Sequence, residues 1–334
     1  MKTFQCDHCK VPIYYENIRC LGCGSTLGII PGSYEVHAVV EGKTGALVGS
    51  DGSKYRFCRN SIAYGCCNQL VAEGDPSDIC RSCRFTEVTP DLTFASNRAL
   101  WARMEQAKRR LLYSLVHLGI PPVPKSEDAV KGLAFRFLVD NGQGILTGHE
   151  NGVITITLAE ADDATREARR QQMGERYRTL LGHFRHEIGH YYWDRLIADG
   201  GRQEAFRKVF GDERADYQMA LKNHYAKAPD DSWKSRFISR YASSHPWEDW
   251  AESFAHFLHM RDVVETSHAV GLIGGKSTPE PKSFAENKDA WLSTSFRLNE
   301  LGRSMGTGDL YPFVVSDAVI LKMEFIHDVI AGAR

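Results

Sequence analysis

Apolar positions recur at steps of three and four over several stretches of this chain, and at steps of two over others. Between Asn97 and Leu118, the residues Leu100, Trp101, Met104, Leu111, Leu115 and Leu118 form one stripe with Lys and Arg between them, which predicts an amphipathic helix. Pro121, Pro122 and Pro124 end it. Leu133 to Val139 and Val153 to Leu158 alternate apolar and polar positions and predict two strands. Asp140-Asn141-Gly142 and Glu150-Asn151-Gly152 mark turns beside them. From Asp163 to Ala198 the period is helical again, with Tyr177, Leu181, Phe184, Ile188 and Tyr191 on one stripe. Further helices are predicted near Glu213–Tyr225, Trp247–Val264 and Ala318–Ile330. The first quarter reads differently. Val36–Val40 and Ala46–Val48 are its only strand candidates, and its Gly-rich composition leaves little room for an apolar core. Thr89-Pro-Asp-Leu92 marks the break after it.

Composition narrows the class. The chain has 334 residues, 43% of them hydrophobic, enough to bury a core without covalent staples. No apolar run reaches about 18 residues, so no membrane span is expected. The first residues lack an apolar segment of the secretory kind, which favours a reducing, cytoplasmic setting. A net charge of −1 gives bulk electrostatics no preference for nucleic acid or anionic membrane.

The nine cysteines change the picture most. They occupy positions 6, 9, 20, 23, 58, 66, 67, 80 and 83, with none afterwards. An odd number of clustered thiols in a reducing compartment reads as metal ligands. Cys6-x2-Cys9 and Cys20-x2-Cys23 form two knuckles able to complete a tetrahedral four-thiolate zinc site. Cys58, Cys80, Cys83 and one of the adjacent pair Cys66 and Cys67 form a second candidate. Spacing alone leaves that choice open. Both sites are expected to be structural, because four protein ligands leave no position for a substrate.

A different chemistry follows at His186-Glu187-Ile188-Gly189-His190. On a helix, residues i and i+4 share a face, so both imidazoles can reach one ion. Glu187 then stands beside the open position, where it can accept a proton from an activated water. His183 is too far from His190, about 10.5 Å along the axis, to share that ion. The better source of a third ligand is the stretch from Ser244 to His256. Pro246 suits a first helical turn, and Glu248, Glu252, His256 and His259 then fall on one face.

These residues resemble a known family, the zinc-binding metallopeptidases that carry an N-terminal zinc ribbon. The resemblance runs through Cys6 to Cys23, Cys58, Cys67-Asn-Gln-Leu-Val71, Cys80-Arg-Ser-Cys83, Thr89-Pro-Asp-Leu92, His186 to Leu196, Phe210-Gly-Asp-Glu-Arg214, His245 to His256 and Leu310-Tyr-Pro-Phe313. It implies Cys67 rather than Cys66 as ligand. It implies an α+β protein: a small Cys-rich zinc-ribbon region (1–33), a second Cys module with short strands (34–90), and a mainly helical zincin-like metallopeptidase domain with a short sheet (91–334). More distantly, the site is similar to that of gluzincins of the lethal-factor type. That likeness implies His186, His190 and Glu248 as zinc ligands and Glu187 as general base. It also implies Glu252 as the support of a histidine and Tyr241 as the hydroxyl facing the oxyanion. Asp194 would orient a histidine through its second ring nitrogen. Val153–Leu158 could be an edge strand that holds an extended peptide, or an ordinary paired strand. The reaction so implied is hydrolysis of an amide bond in a peptide or protein, with one catalytic and two structural zinc ions. The competing reading is a ribbon that recruits a protein or nucleic-acid partner, with Lys10, Arg19, Arg56, Arg59, Arg81 and Arg84 near the knuckles and the peptidase fold weak or inactive.

Overall fold

The computed structural model describes residues 2–42, 45–140, 142, 147–173, 178–228, 230–274 and 282–333. The chain divides into two compact units, residues 1–166 and 167–334.

The first unit begins with a two-stranded knuckle, β1 (Phe4–Gln5) against β2 (Pro12–Ile13). A five-stranded antiparallel meander follows, formed by β3 (Thr26–Ile29), β4 (Val36–Glu41), β5 (Leu47–Val48), β6 (Lys54–Phe57) and, after the short helix α1 (Arg59–Tyr64), β7 (Leu70–Ala72). It encloses a small core of Val39, Leu47, Tyr55 and Leu70, with Ile30 and Ala72 packed against it. The Cys-rich quarter therefore has an apolar core that its Gly-rich composition did not suggest. Its apolar residues come from the four short strands β4 to β7 and from Ile30 just after β3; the expected strands Val36–Val40 and Ala46–Val48 fall on β4 and β5.

β8 (Thr86–Val88) leads into α2 (Ala95–His117) and back to β9 (Ala134–Leu138), which runs parallel to β8. α2 lies on these strands. Its buried Lys108 sits over the rings of Phe135 and Phe137 and ion-pairs with Glu105 at 2.8 Å. β10 (Gly148–Glu150) and β11 (Val153–Thr157) form a hairpin, turned by Asn151 and Gly152 at φ 50° and 77°. The sheet order is β10-β11-β9-β8. β11 therefore has a partner on each side, β10 and β9. Its main-chain groups are committed to the sheet, so the edge-strand role for Val153–Leu158 does not hold and the ordinary paired strand does. Asn141, in the turn expected after β9, lies outside the described residues.

The single helix expected from Asp163 to Ala198 is two helices and a wider turn. α3 (Asp163–Met173) ends before Thr179, whose extended backbone (φ −121°, ψ 154°) and side chain cap α4 (Leu180–Tyr192) by accepting from Gly182 N–H. Tyr177 lies outside the described residues. After Tyr192 the helix widens to a π-turn over Trp193–Ala198.

In the second unit, α5 (Gln203–Phe210) and α6 (Tyr217–Ala226) lead to the long helix α7 (Pro246–Ala269), then α8 (Phe284–Ser304) and α9 (Asp317–Ala331). α7 is the axis, packed by α4, α5, α8 and α9. Trp250, Phe254, Phe257, Phe206, Trp291 and Met323 are fully buried around it. Pro246 occupies the first turn, and His245 caps it by accepting from Trp247 N–H. Among the described residues, no helix is long and apolar enough to cross a membrane.

Candidate metal centres

Cys6, Cys9, Cys20 and Cys23 converge, with Sγ atoms 3.7 Å (Cys6–Cys23) and 3.5 Å (Cys9–Cys20) apart. Cys58, Cys67, Cys80 and Cys83 converge likewise, at 3.8 Å (Cys58–Cys83) and 3.4 Å (Cys67–Cys80). Four sulfurs at about 2.3 Å from one tetrahedral ion stand about 3.8 Å apart, so both groups fit zinc closely. These separations are far longer than a disulfide of about 2.05 Å. Cys66 points elsewhere, its Sγ 3.5 Å from Asn60 O, and burial pushes its thiol up in pKa. The tertiary fold thus puts Cys67, not Cys66, in the group. Backbone N–H groups of Cys80 and Gln69 donate to the sulfurs of Cys58 and Cys67, at 3.3 and 3.4 Å. The buried Arg109 guanidinium lies among the same thiols and donates to Cys66 O at 2.8 Å. It sets a positive charge against a group that is doubly negative when four thiolates hold one Zn²⁺.

The third group combines α4 and α7. His186 Nε2 and His190 Nε2 are 3.2 Å apart, and Glu248 Oε2 is 3.1 Å from the first and 3.4 Å from the second. Two nitrogens and an oxygen at about 2.0–2.1 Å from one tetrahedral ion stand about 3.3–3.4 Å apart. The triangle therefore has the size that zinc requires. Its chemistry fits too. His186 Nδ1–H donates to Glu252 Oε1 at 2.8 Å, which turns Nε2 toward the other two atoms, where a cation would take the place of the Nε2 proton. Ser239 Oγ–H holds Glu252 Oε2 at 2.6 Å, and Tyr217 O–H holds Glu248 Oε1 at 2.6 Å. Burial works against an imidazolium at His186, but the Glu248 and Glu252 carboxylates outweigh it and push its pKa well above the usual range. Burial would raise the Glu248 carboxyl, but His190 and His186 hold it well below its usual range. The carboxylate stays ionised, as a cation site needs.

Close approach of the two helices makes the group possible. A Cβ on Gly189 would stand 2.9 Å from Ala251 Cα and 3.1 Å from Ala251 O. Trp250 Nε1–H donates to Gly189 O at 2.8 Å, tying α7 to α4 at the same level. Trp247 lies against the His190 ring at 3.9 Å between centroids.

The remaining expected residues take different places. Glu187 is buried between the two histidines in sequence, and its Oε2 has no hydrogen-bond partner among the described residues. The Tyr241 ring lies 5.8 Å from the His186 ring, and burial together with the Glu248 and Tyr217 side chains pushes its hydroxyl pKa up. Asp194 makes no hydrogen bond to His190, whose Nδ1 has no partner among the described residues. The widening at Trp193 takes residue 194 off the i+4 row of the α-helix, and burial raises its carboxyl pKa. His256 and His259 stand outside the metal group. His256 shares a 2.6 Å hydrogen bond with Tyr311, and Phe313 packs 4.4 Å from its ring, which accounts for the Leu310-Tyr-Pro-Phe313 stretch. His259 and Asp262 both bind Arg185. His245 Nε2–H donates to Ala215 O at 3.1 Å, so the cap of α7 also holds the turn after Asp212-Glu213-Arg214. Tyr217, Ser239 and Gly189 carry roles that the sequence reading missed. Phe210 to Arg214 marked the neighbourhood of Tyr217, and no periodicity marked the residue.

A cysteine-rich region with two four-cysteine groups, ahead of a helix pair carrying two histidines and a glutamate, has the donor sets of a zinc-binding protein. The chain belongs to the family described as "putative zinc-binding metallo-peptidase", which matches residues 97–329, and residues 3–94 match a zinc-ribbon domain. It is 44% identical over 336 aligned residues to the uncharacterized proteins Rv2568c of Mycobacterium tuberculosis and Mb2598c of Mycobacterium bovis, covering 99% of this chain and 95% of theirs. No solved structure matches.

Proposed function

We propose that this protein hydrolyses a peptide or protein amide bond at the His186, His190 and Glu248 group, with zinc there and at the two four-cysteine groups. The observation that carries the reading is the zinc-sized triangle of 3.1–3.4 Å on α4 and α7, with Glu187 buried on α4 directly after the ligand His186 and one of its oxygens unpaired among the described residues. Zinc in such a site supplies a Lewis acid for a carbonyl and acidifies a water toward neutral pH. Glu187 would act as the general base, accepting a proton from the attacking water and passing it to the leaving amine. Tyr241 donates to the oxyanion, its raised pKa keeping the proton in place. Glu252 fixes the His186 tautomer, and Tyr217 fixes the Glu248 carboxylate. His190 is held by the Trp247 face, and the Asp194 role is not needed.

Replacing Glu187 by Gln preserves the size and burial of the side chain and removes the base. The variant should retain the parent's zinc content and lose about 10²–10⁴-fold in turnover of any peptide the parent cleaves. Equal turnover would remove Glu187 from the mechanism. The partner of the site is a peptide or protein. Nucleic acid is disfavoured because Arg56 donates to three carbonyls, and Arg59, Arg81 and Arg84 pair with Asp78, Glu127 and Asp75. A salt-dependent mobility shift with DNA or RNA would reverse that.

A further inference from the structure

Behind Tyr241 the second unit has a cavity of about 340 Å³. Its walls come from the end of α6, from the turn at Ser232–Ser235, and from Arg236 to Ser243. Trp233 and Phe237 give it aromatic sides, and Lys227, Arg236 and Arg240 give it positive charge. The nearby carboxylates are already engaged: Asp230 pairs with Lys227 and Asp231 with Lys234, at 2.7 Å each. Among the described residues, neither guanidinium pairs with a carboxylate. Arg240 is held in place by the carbonyls of Lys227 and His224, at 2.7 and 3.2 Å, and Arg236 lies 5.7 Å from the centre of the Phe237 ring.

The cavity shares a wall with the metal group. Over Ser239–Ser243, successive residues serve the two sides. Ser239 binds Glu252 and Tyr241 lies 5.8 Å from His186, while Arg240 and Ser243 line the cavity. His224, at the cavity's mouth, lies 6.2 Å from the Tyr241 ring. By way of Tyr241 the His224 ring on the cavity wall is at most about 12 Å from the His186 ring, a span of about four residues of extended peptide at about 3.3 Å each.

We infer that this cavity is a substrate subsite for a carboxylate, an Asp or Glu side chain or a C-terminal carboxylate, held by Arg236 and Arg240 between Trp233 and Phe237. The inference rests on the peptidase reading above. Planar guanidinium groups match carboxylate geometry and hold it through paired N–H donors.

The test uses the full-length zinc-loaded protein and a proteome-derived peptide library, with cut sites read by mass spectrometry. Asp, Glu or a free C-terminus should be enriched at one position within four residues of the cut. Glu187→Gln then serves as a binding form. By fluorescence anisotropy it should bind a selected peptide about tenfold more tightly than the same peptide with that Glu changed to Gln. Peptides with C-terminal acid or amide separate the two sources of carboxylate. Adding Arg236→Gln, a surface change, should erase the preference at unchanged zinc content. Cleavage or binding indifferent to the acidic group, or a preference that survives Arg236→Gln combined with Arg240→Gln, overturns the subsite and leaves the peptidase reading intact. Absence of any cleavage overturns the peptidase reading itself, and the subsite with it.

Discussion

Tyr217 and Glu252 act on the metal group one bond removed from it. Each fixes a ligand through a hydrogen bond of 2.6–2.8 Å, Tyr217 on Glu248 and Glu252 on His186. Outer partners of this kind typically contribute 10–100-fold in metal affinity. Tyr217→Phe and Glu252→Gln should therefore each weaken the third zinc by about that factor, measured by competition with a chelator, while leaving both cysteine-bound zincs in place. Loss of a cysteine-bound zinc, or no change at all, would contradict the assignment. The sequence made Glu252 legible because it shares a helix face with Glu248. It could not make Tyr217 legible: that residue lies 31 positions from its partner, on a helix with no buried residue of its own. Between Cys66 and Cys67 spacing alone left the choice open, the family resemblance implied Cys67, and the structure groups Cys67 with Cys58, Cys80 and Cys83. Adjacent residues diverge, and only the pairing of β6 with β7 and the placing of Cys80 decides which sulfur meets the others.

The crossing of α4 and α7 carries the site, and Gly189 sets its distance. Gly189→Ala would drive a methyl group into the Ala251 backbone, which cannot give way as a flexible side chain could. Overpacking of this sort costs about 1–3 kcal/mol. The variant should melt several degrees lower and lose the third zinc preferentially, because its ligands come from both helices. An unchanged melting temperature would mean that the helices adjust freely. The long helices α2 and α7 and the strands β9 and β11 were legible because their apolar residues keep period over five residues or more. α8 was not. Its buried row Phe284, Asn287, Trp291 and Thr294 has helical spacing, but two of the four are polar. The signal that remained was its capping box, Ser283 with Glu286. β1 and β2 have two residues each and are held by the knuckle around Cys6 and Cys9, so no pattern could announce them.

Across the whole chain, the two cysteine groups differ in exposure. Cys23 is exposed and Cys9 half-buried, whereas Cys58, Cys67, Cys80 and Cys83 are all buried. A chelator should remove the zinc of the first group well before that of the second, and iodoacetamide should modify Cys23 first. Simultaneous loss from both groups would contradict this. The molecule's organisation also follows contacts rather than composition. The zinc-ribbon match ends at residue 94, yet β8, inside that match, pairs in parallel with β9 beyond it. Composition shifts at the last cysteine, Cys83, but the four-stranded sheet lies wholly beyond it and takes its first strand from inside the ribbon match, which only long-range pairing reveals.

The central claim is that a helix-borne His and Glu group holds zinc separately from the cysteines. Elemental analysis of zinc per chain tests it, on the parent and on the His186→Ala/His190→Ala variant. The account predicts three zincs falling to two. Two zincs in both proteins would contradict it: the helix pair would then hold no zinc, and the hydrolytic chemistry assigned to Glu187 would have no centre to act on.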